Sequence, residues 1–176
     1  MFDLLKQKIA KLLLHHKVKS IERASQPYNK FISRSLDYLI IMPKNEQDFK
    51  NGLSVLEYFI HHKKNISVFI PDVKFNFIPH KSGLNIIDFS LDDITKLNMP
   101  GKGLQQRLKN RTCDVLIDLN LEDEVFYDAV VLMVESKYKI GFEKPDSDRY
   151  YNFQVPKSEN NSDFSYRNLL NSLKMF

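Results

Sequence analysis

"CDVLIDLNLEDEVFYDAVVLMVESKYKIGFE", residues 113–143, decides how this chain folds. The run CDVLIDLN is too short for a stable isolated helix. Its centre, VLI, is apolar without alternation, as is the run LDYLIIMP (36–43), which is too apolar for a strand with one wet face. A strand buried on both faces fits it, and such strands belong to parallel sheets covered by helices. The polar break at Asn120–Glu122 then leads into a helical pattern over 122–136, with Val125, Ala129, Leu132 and Met133 on its inward side. A second apolar run, YKIGFE at 138–143, closes a strand–helix–strand unit. A parallel pair needs such a crossover, and the crossover is right-handed.

The same alternation extends in both directions. Upstream, LDYLIIMP (36–43), ISVFIPD (66–72) and LNIIDFS (84–90) read as further buried strands. Between the first two, Phe49, Leu53, Leu56 and Ile60 recur at helical spacing, with Asn45 placed to cap the helix. Gly52 inside that helix costs about 1 kcal/mol relative to alanine, so it marks close packing or a nearby ligand. FNFIPHKSG reads as a loop or a short irregular strand, and LQQRLKN (104–110) as a short helix. Downstream, a polar stretch holds the short apolar run YNFQV. The last helix comes next, with Leu169, Leu170, Leu173 and Phe176 inward and Ser162 or Asp163 as its cap. The expected fold is α/β: a three-layer Rossmann-like domain over residues 35–176, with a mainly parallel five- or six-stranded sheet and helices on both faces.

Residues 1–34 stand apart as a basic amphipathic helix and linker. They hold eight Lys or Arg against Asp3 and Glu22. They therefore carry +6 of a net +4, which leaves the rest of the chain at −2. A nucleic-acid domain carries its basic stripe on the folded face, so nucleic acid is not an expected partner. Phe2, Leu5, Ile9, Leu12, Leu13 and His16 share one face of the helix, while Lys6, Lys8, Lys11 and His15 point away. That face suits packing on the core, contact with a protein partner or a second copy, or an anionic membrane surface. The chain shows neither a run of about eighteen apolar residues nor a secretory leader. The expected location is cytoplasmic, with attachment at the periphery of the inner membrane as the variant in which the basic helix lies on lipid. The single cysteine, Cys113, reads as a structural thiol.

In an open parallel sheet, ligands sit beyond the carboxyl ends of the strands. The residues found there are Lys44, Asn45 and Asp48, then Asp72, Ser90, Asp92 and Asp93, then Asp118, Asn120 and Glu122, and last Glu143, Lys144 and Asp146. Each also has a structural role open to it. Asp48 suits a helix N-terminus, and Asp118 suits a neighbouring backbone N–H. Phosphate motifs are missing: there is no GxxxxGK[ST] and no GxGxxG, and GKG at 101–103 lacks the final glycine. His15–His16 and His61–His62 are adjacent pairs without metal spacing, and no GxSxG elbow occurs. No metal or cofactor is expected.

YLIIMPKNEQDFKNGLSVL (38–56) and DVLIDLNLEDEVFYDAVVLMVESKYKIGFE (114–143) resemble the N-terminal domain of glycosyltransferase family 9, the heptosyltransferase-like enzymes, and DRYYNFQV (148–155) resembles the next segment of that domain. The resemblance spans about residues 36–156. It departs at Gln47 (Gly in the family), Ser54 (Pro) and Lys139 (Arg). It implies the acceptor-side half of a two-domain GT-B enzyme, here as a short stand-alone bacterial protein. Asp48 falls where the family places its base, with Lys44, Asn45, Asp118 and Asn120 around the acceptor. The donor site belongs to the family's second domain, which this sequence does not match. The first expectation is therefore a non-catalytic binding or assembly role, with a sugar or nucleotide sugar as ligand. The alternative is a glycosyltransferase component using Asp48 as base, with a donor domain from another chain.

Overall fold

A computed structural model of the chain describes residues 8–14, 28–79 and 81–176. Six strands form one sheet: β1 Asp37–Ile41, β2 Asn65–Pro71, β3 Leu84–Phe89, β4 Thr112–Asp118, β5 Glu135–Phe142 and β6 Phe153–Val155. Their order is β3-β2-β1-β4-β5-β6, and every neighbouring pair is parallel. The chain thus starts in the middle, works outward to β3, crosses back and works outward again. The reversal lies between β1 and β4, where Ile41 pairs with Asp118.

Alternation along each strand splits the core into two layers. Tyr38, Ile40 and Met42, with Val115 and Ile117, face one side. They meet Val55, Leu56 and Phe59 of α3 (Glu46–His61) and Tyr166, Leu169 and Leu173 of α6 (Ser162–Leu173). Leu39, Ile41, Leu116 and Phe89 face the other side. There they meet α4 (Lys102–Leu108) and α5 (Val125–Met133). Two buried faces explain why the central strands read as unbroken apolar runs. The first core layer also takes in residues ahead of 35. Phe31 and Ile32, in the short helix α2 (Phe31–Arg34), are buried in it. The Phe31 ring lies 4.5 Å from Tyr138 and 5.2 Å from Phe176.

Several elements differ from their sequence expectation. The helix expected over 122–136 is α5, and its last residues are strand instead. Glu135 pairs with Thr112, and its N–H bonds to Arg111 O at 3.1 Å, so the sheet claims the segment. The residues of α5 that pack on the sheet are Phe126, Tyr127, Val130 and Val131, while Val125 and Ala129, expected inward, are buried against a helix at residues 8–14 (α1). Leu132 and Met133 are only partly buried. In α1 the packed residues are Ala10 and Leu14, which touch Val125 and Ala129, while Leu12 is 67% exposed and Ile9 and Leu13 are exposed too. The helix is turned so that Lys11, expected to point outward, pairs with Asp123. Phe2, Leu5, Lys6, His15 and His16 lie outside the described residues.

The α6 cap is Asn161, whose side chain accepts from Phe164 N at 3.0 Å, and Leu170 and Phe176 are half-buried. The stretch Asp72–Phe77 forms a 3-10 helix, and YNFQV supplies β6. Among the described residues, no helix is long and apolar enough to cross a membrane.

Candidate functional site

The switch point gathers most of the residues the sequence placed at strand ends. β4 ends on Asp118, which is 0% exposed. A buried carboxylate must be paired and hydrogen-bonded to be tolerated, and here four donors meet it. Asn120 N and Asn120 Nδ2 donate to Oδ1 at 3.0 and 2.6 Å. Lys144 Nζ and Tyr151 OH donate to Oδ2 at 3.1 and 2.5 Å. Lys144, just past β5, has a side chain 1% exposed, and it also donates to Asn120 O at 3.3 Å. Burial, followed by the Asp118 charge, raises the Tyr151 pKa well above its usual range. The phenol therefore stays a donor. This closed network fixes the ends of β4 and β5 to each other. Tyr151 reaches it by crossing over β5 at Gly141, where a Cβ would stand 2.7 Å from the ring. That strand residue has to be glycine while Tyr151 keeps its place.

Asp48 sits in the first turn of α3 and is buried. Its Oδ1 accepts from Ser162 Oγ at 2.5 Å, and Asn51 Nδ2 donates to the same hydroxyl at 2.7 Å. Asp48 thus ties α3 to the start of α6. Asn45 caps α3, accepting from Gln47 N and Asp48 N at 2.9 and 3.2 Å. Gly52 is explained by packing. A Cβ there would meet Leu119 at 3.3 Å and Pro43 at 3.4 Å, so glycine lets α3 press onto the ends of β1 and β4. Ser90 and Asp93 form a capping box, and Arg107 pairs with Asp93 at 2.7 Å.

Two adjoining crevices open beyond these strand ends. The smaller is lined by Lys44, Asn45, Asp48 and Asn120. The larger holds about 480 Å³ and spans the ends of β1 to β4. Its wall includes Phe89 and Phe126, whose rings lie 4.8 Å apart, together with Ser90, Asn98, Glu124 and Tyr127. Its volume suits a small molecule. Lys44, Glu122 and Glu124 border both crevices. Glu124 is half-buried and burial raises its pKa, against the opposing charge of Lys44. Tyr127 OH is buried without a hydrogen-bond partner.

The structure therefore brings Lys44, Asn45, Asp48 and Asn120 to one crevice and puts Asp118 behind it, locked from four sides. Glu124 and Tyr127 were not singled out from sequence, because they read as part of an amphipathic helix. Lys144 was placed on the rim, yet it points inward. The nearby Asp128 on α5 is 1% exposed, and neither carboxylate oxygen has a partner. Burial pushes its pKa up to about 7, with Lys144 opposing. No group of three or more His, Cys, Asp or Glu side chains suited to a metal occurs among the described residues. Cys113 is half-buried, and burial raises its thiol pKa.

No family model, no curated protein and no solved structure matches this chain. The resemblance to glycosyltransferase family 9 rests on the quoted residues alone.

Proposed function

We propose that this protein is a non-catalytic binding domain that takes a small hydroxylated ligand of the sugar class in the crevice at its switch point. One observation carries the proposal. The two carboxylates best placed for chemistry are occupied within the fold, Asp118 by four donors and Asp48 by Ser162, while an open crevice of about 480 Å³ lies beside them. Its lining mixes carboxylates, an amide and a hydroxyl with aromatic faces, which is the chemistry that holds sugar hydroxyls and C–H edges. Assembly with a partner would run through α1, where Ile9, Leu12 and Leu13 remain exposed.

Thermal unfolding against monosaccharides and nucleotide sugars tests the proposal. A ligand at about ten times its Kd adds roughly 1.4 kcal/mol of stability, which moves Tm by about 3–5 °C in a chain of this size. A shift with at least one sugar is expected. No shift with any sugar at tens of millimolar overturns the proposal.

A second reading is a glycosyltransferase component with Asp48 as base and the donor domain on another chain. What favours it is that Asp48 lines the smaller crevice together with Lys44, Asn45 and Asn120. Asp48→Asn keeps an acceptor for Ser162, so it separates the two roles. Loss of in-cell function in a stably folded Asp48→Asn protein supports the base, and full function removes it.

A further inference from the structure

The larger crevice has a charge balance that narrows its ligand, on the reading that it is a sugar site. Four carboxylates line it, from Asp72, Glu122, Asp123 and Glu124, against two ammonium groups, from Lys44 and Lys74. Asp123 is already paired with Lys11 of α1. Lys74 lies over the rings of Phe49 and Phe77, at 5.5 and 5.6 Å from their centroids. Glu124 makes no ion pair among the described residues, although it is half-buried in the wall.

Its position matters. Glu122, Asp123 and Glu124 immediately precede the first residue of α5, and Glu124 is the N-cap. In an open α/β fold a helix N-terminus at this edge is where a phosphate would rest on backbone N–H groups. Here the chain's own carboxylates stand beside that end, without a side-chain cap hydrogen bond from Glu124, so an incoming phosphate meets like charge. A second, independent feature lies beside them. Tyr127 forms part of the same wall and is 1% exposed, and its hydroxyl has no partner. A buried hydroxyl left unpaired costs free energy that a ligand group can recover. Burial, then the Glu124 charge, raises the Tyr127 pKa, which places the hydroxyl in the field of that carboxylate.

We infer that the crevice selects a sugar bearing a protonated amine, with Glu124 taking the ammonium group, Tyr127 OH meeting a neighbouring ring hydroxyl, and phosphorylated donors refused. Nothing covalent is involved.

The test is an NMR or calorimetric titration of the full chain at about pH 6.5 and low salt. The probes are glucose, glucosamine, 6-amino-6-deoxyglucose and UDP-glucose. At least one amino sugar is expected to bind about tenfold more tightly than glucose or better, and UDP-glucose more weakly than either amine. Glu124→Gln is expected to erase the amine preference, so that within the variant both amines bind no more tightly than glucose, and an unchanged urea midpoint with an unchanged far-UV spectrum shows that the variant is still folded. Equal affinity for glucose and both amines overturns the inference and leaves the sugar-site reading standing. Tightest binding of UDP-glucose overturns it as well. Binding of no sugar at all removes both.

Discussion

Replacing Asp128 should change how the stability of this protein depends on pH. Asp128 is 1% exposed, and both of its oxygens lack partners. A carboxylate in that setting is penalised by desolvation. Burial carries its pKa from an ordinary 3.8 up to about 7 in the fold, with Lys144 pulling the other way. The folded state therefore keeps a proton that the unfolded chain gives up. Linkage sets the direction. The stability associated with this group is complete below pH 3.8. It is lost as pH rises toward and through about 7, and it levels off above that. At about 1.4 kcal/mol for each pH unit separating the two pKa values, the loss between pH 4 and pH 8 is roughly 4 kcal/mol. That is a large part of the 5–15 kcal/mol typical of a domain. Asp128→Asn is nearly the same shape and does not titrate. Its amide is also unpaired, which costs something at every pH but adds no slope. Urea unfolding followed by far-UV circular dichroism suits a chain with no tryptophan. The wild type should lose roughly 4 kcal/mol relative to Asp128→Asn across that range, with the m-values alike. Parallel pH profiles for the two proteins would refute the reasoning and with it the buried, unpartnered state of Asp128.

The Asp118 network gives two more expectations. Lys144→Met leaves a fully buried carboxylate without its cation and should cost about 3–5 kcal/mol at pH 7 by denaturant melts, with much of that recovered in the Asp118→Asn, Lys144→Met double variant. Gly141→Ala would put a methyl group 2.7 Å from the Tyr151 ring and should cost about 1–3 kcal/mol, while in a Tyr151→Ala background the same change should be close to neutral. The helix caps are simpler. Asn45→Ala and Asn161→Ala should each lower stability by about 1 kcal/mol, read as a shift in urea midpoint at unchanged m, because each removes a side-chain acceptor from helix N–H groups.

The fold was legible where burial on both sides leaves a signature. DYLII and VLID lie between two helical layers, so their residues are apolar without alternation, and that pattern implies a parallel sheet. The sixth strand was harder, because Phe153–Val155 is only three residues long. Which face of α1 packs on the domain was not legible, for a physical reason. Its residues carry two apolar stripes, and contact with Val125 and Ala129 chose the one through Ala10 and Leu14. Tertiary packing made that choice, and local spacing does not record it. At the site, Asp118 was visible as a polar residue ending an apolar strand. Its partners were not, since Lys144 and Tyr151 lie 26 and 33 positions away. Ser162 was taken for a cap on the strength of its place before a helix. Its hydroxyl instead serves Asp48, 114 positions earlier. Long-range pairing of this kind comes from the sheet order β3-β2-β1-β4-β5-β6, which brings the ends of β1, β4 and β5 side by side.

The claim on which the functional account stands is that the crevice beyond β1 to β4 receives a ligand. The most direct measurement is the amide spectrum of isotopically labelled protein during titration with a panel of monosaccharides. The account predicts shifts concentrated at Lys44, Ser90, Asn98, Glu124 and Tyr127, saturating with one Kd. Shifts absent from these residues, or scattered over α3 and α6 on the far layer, would contradict it.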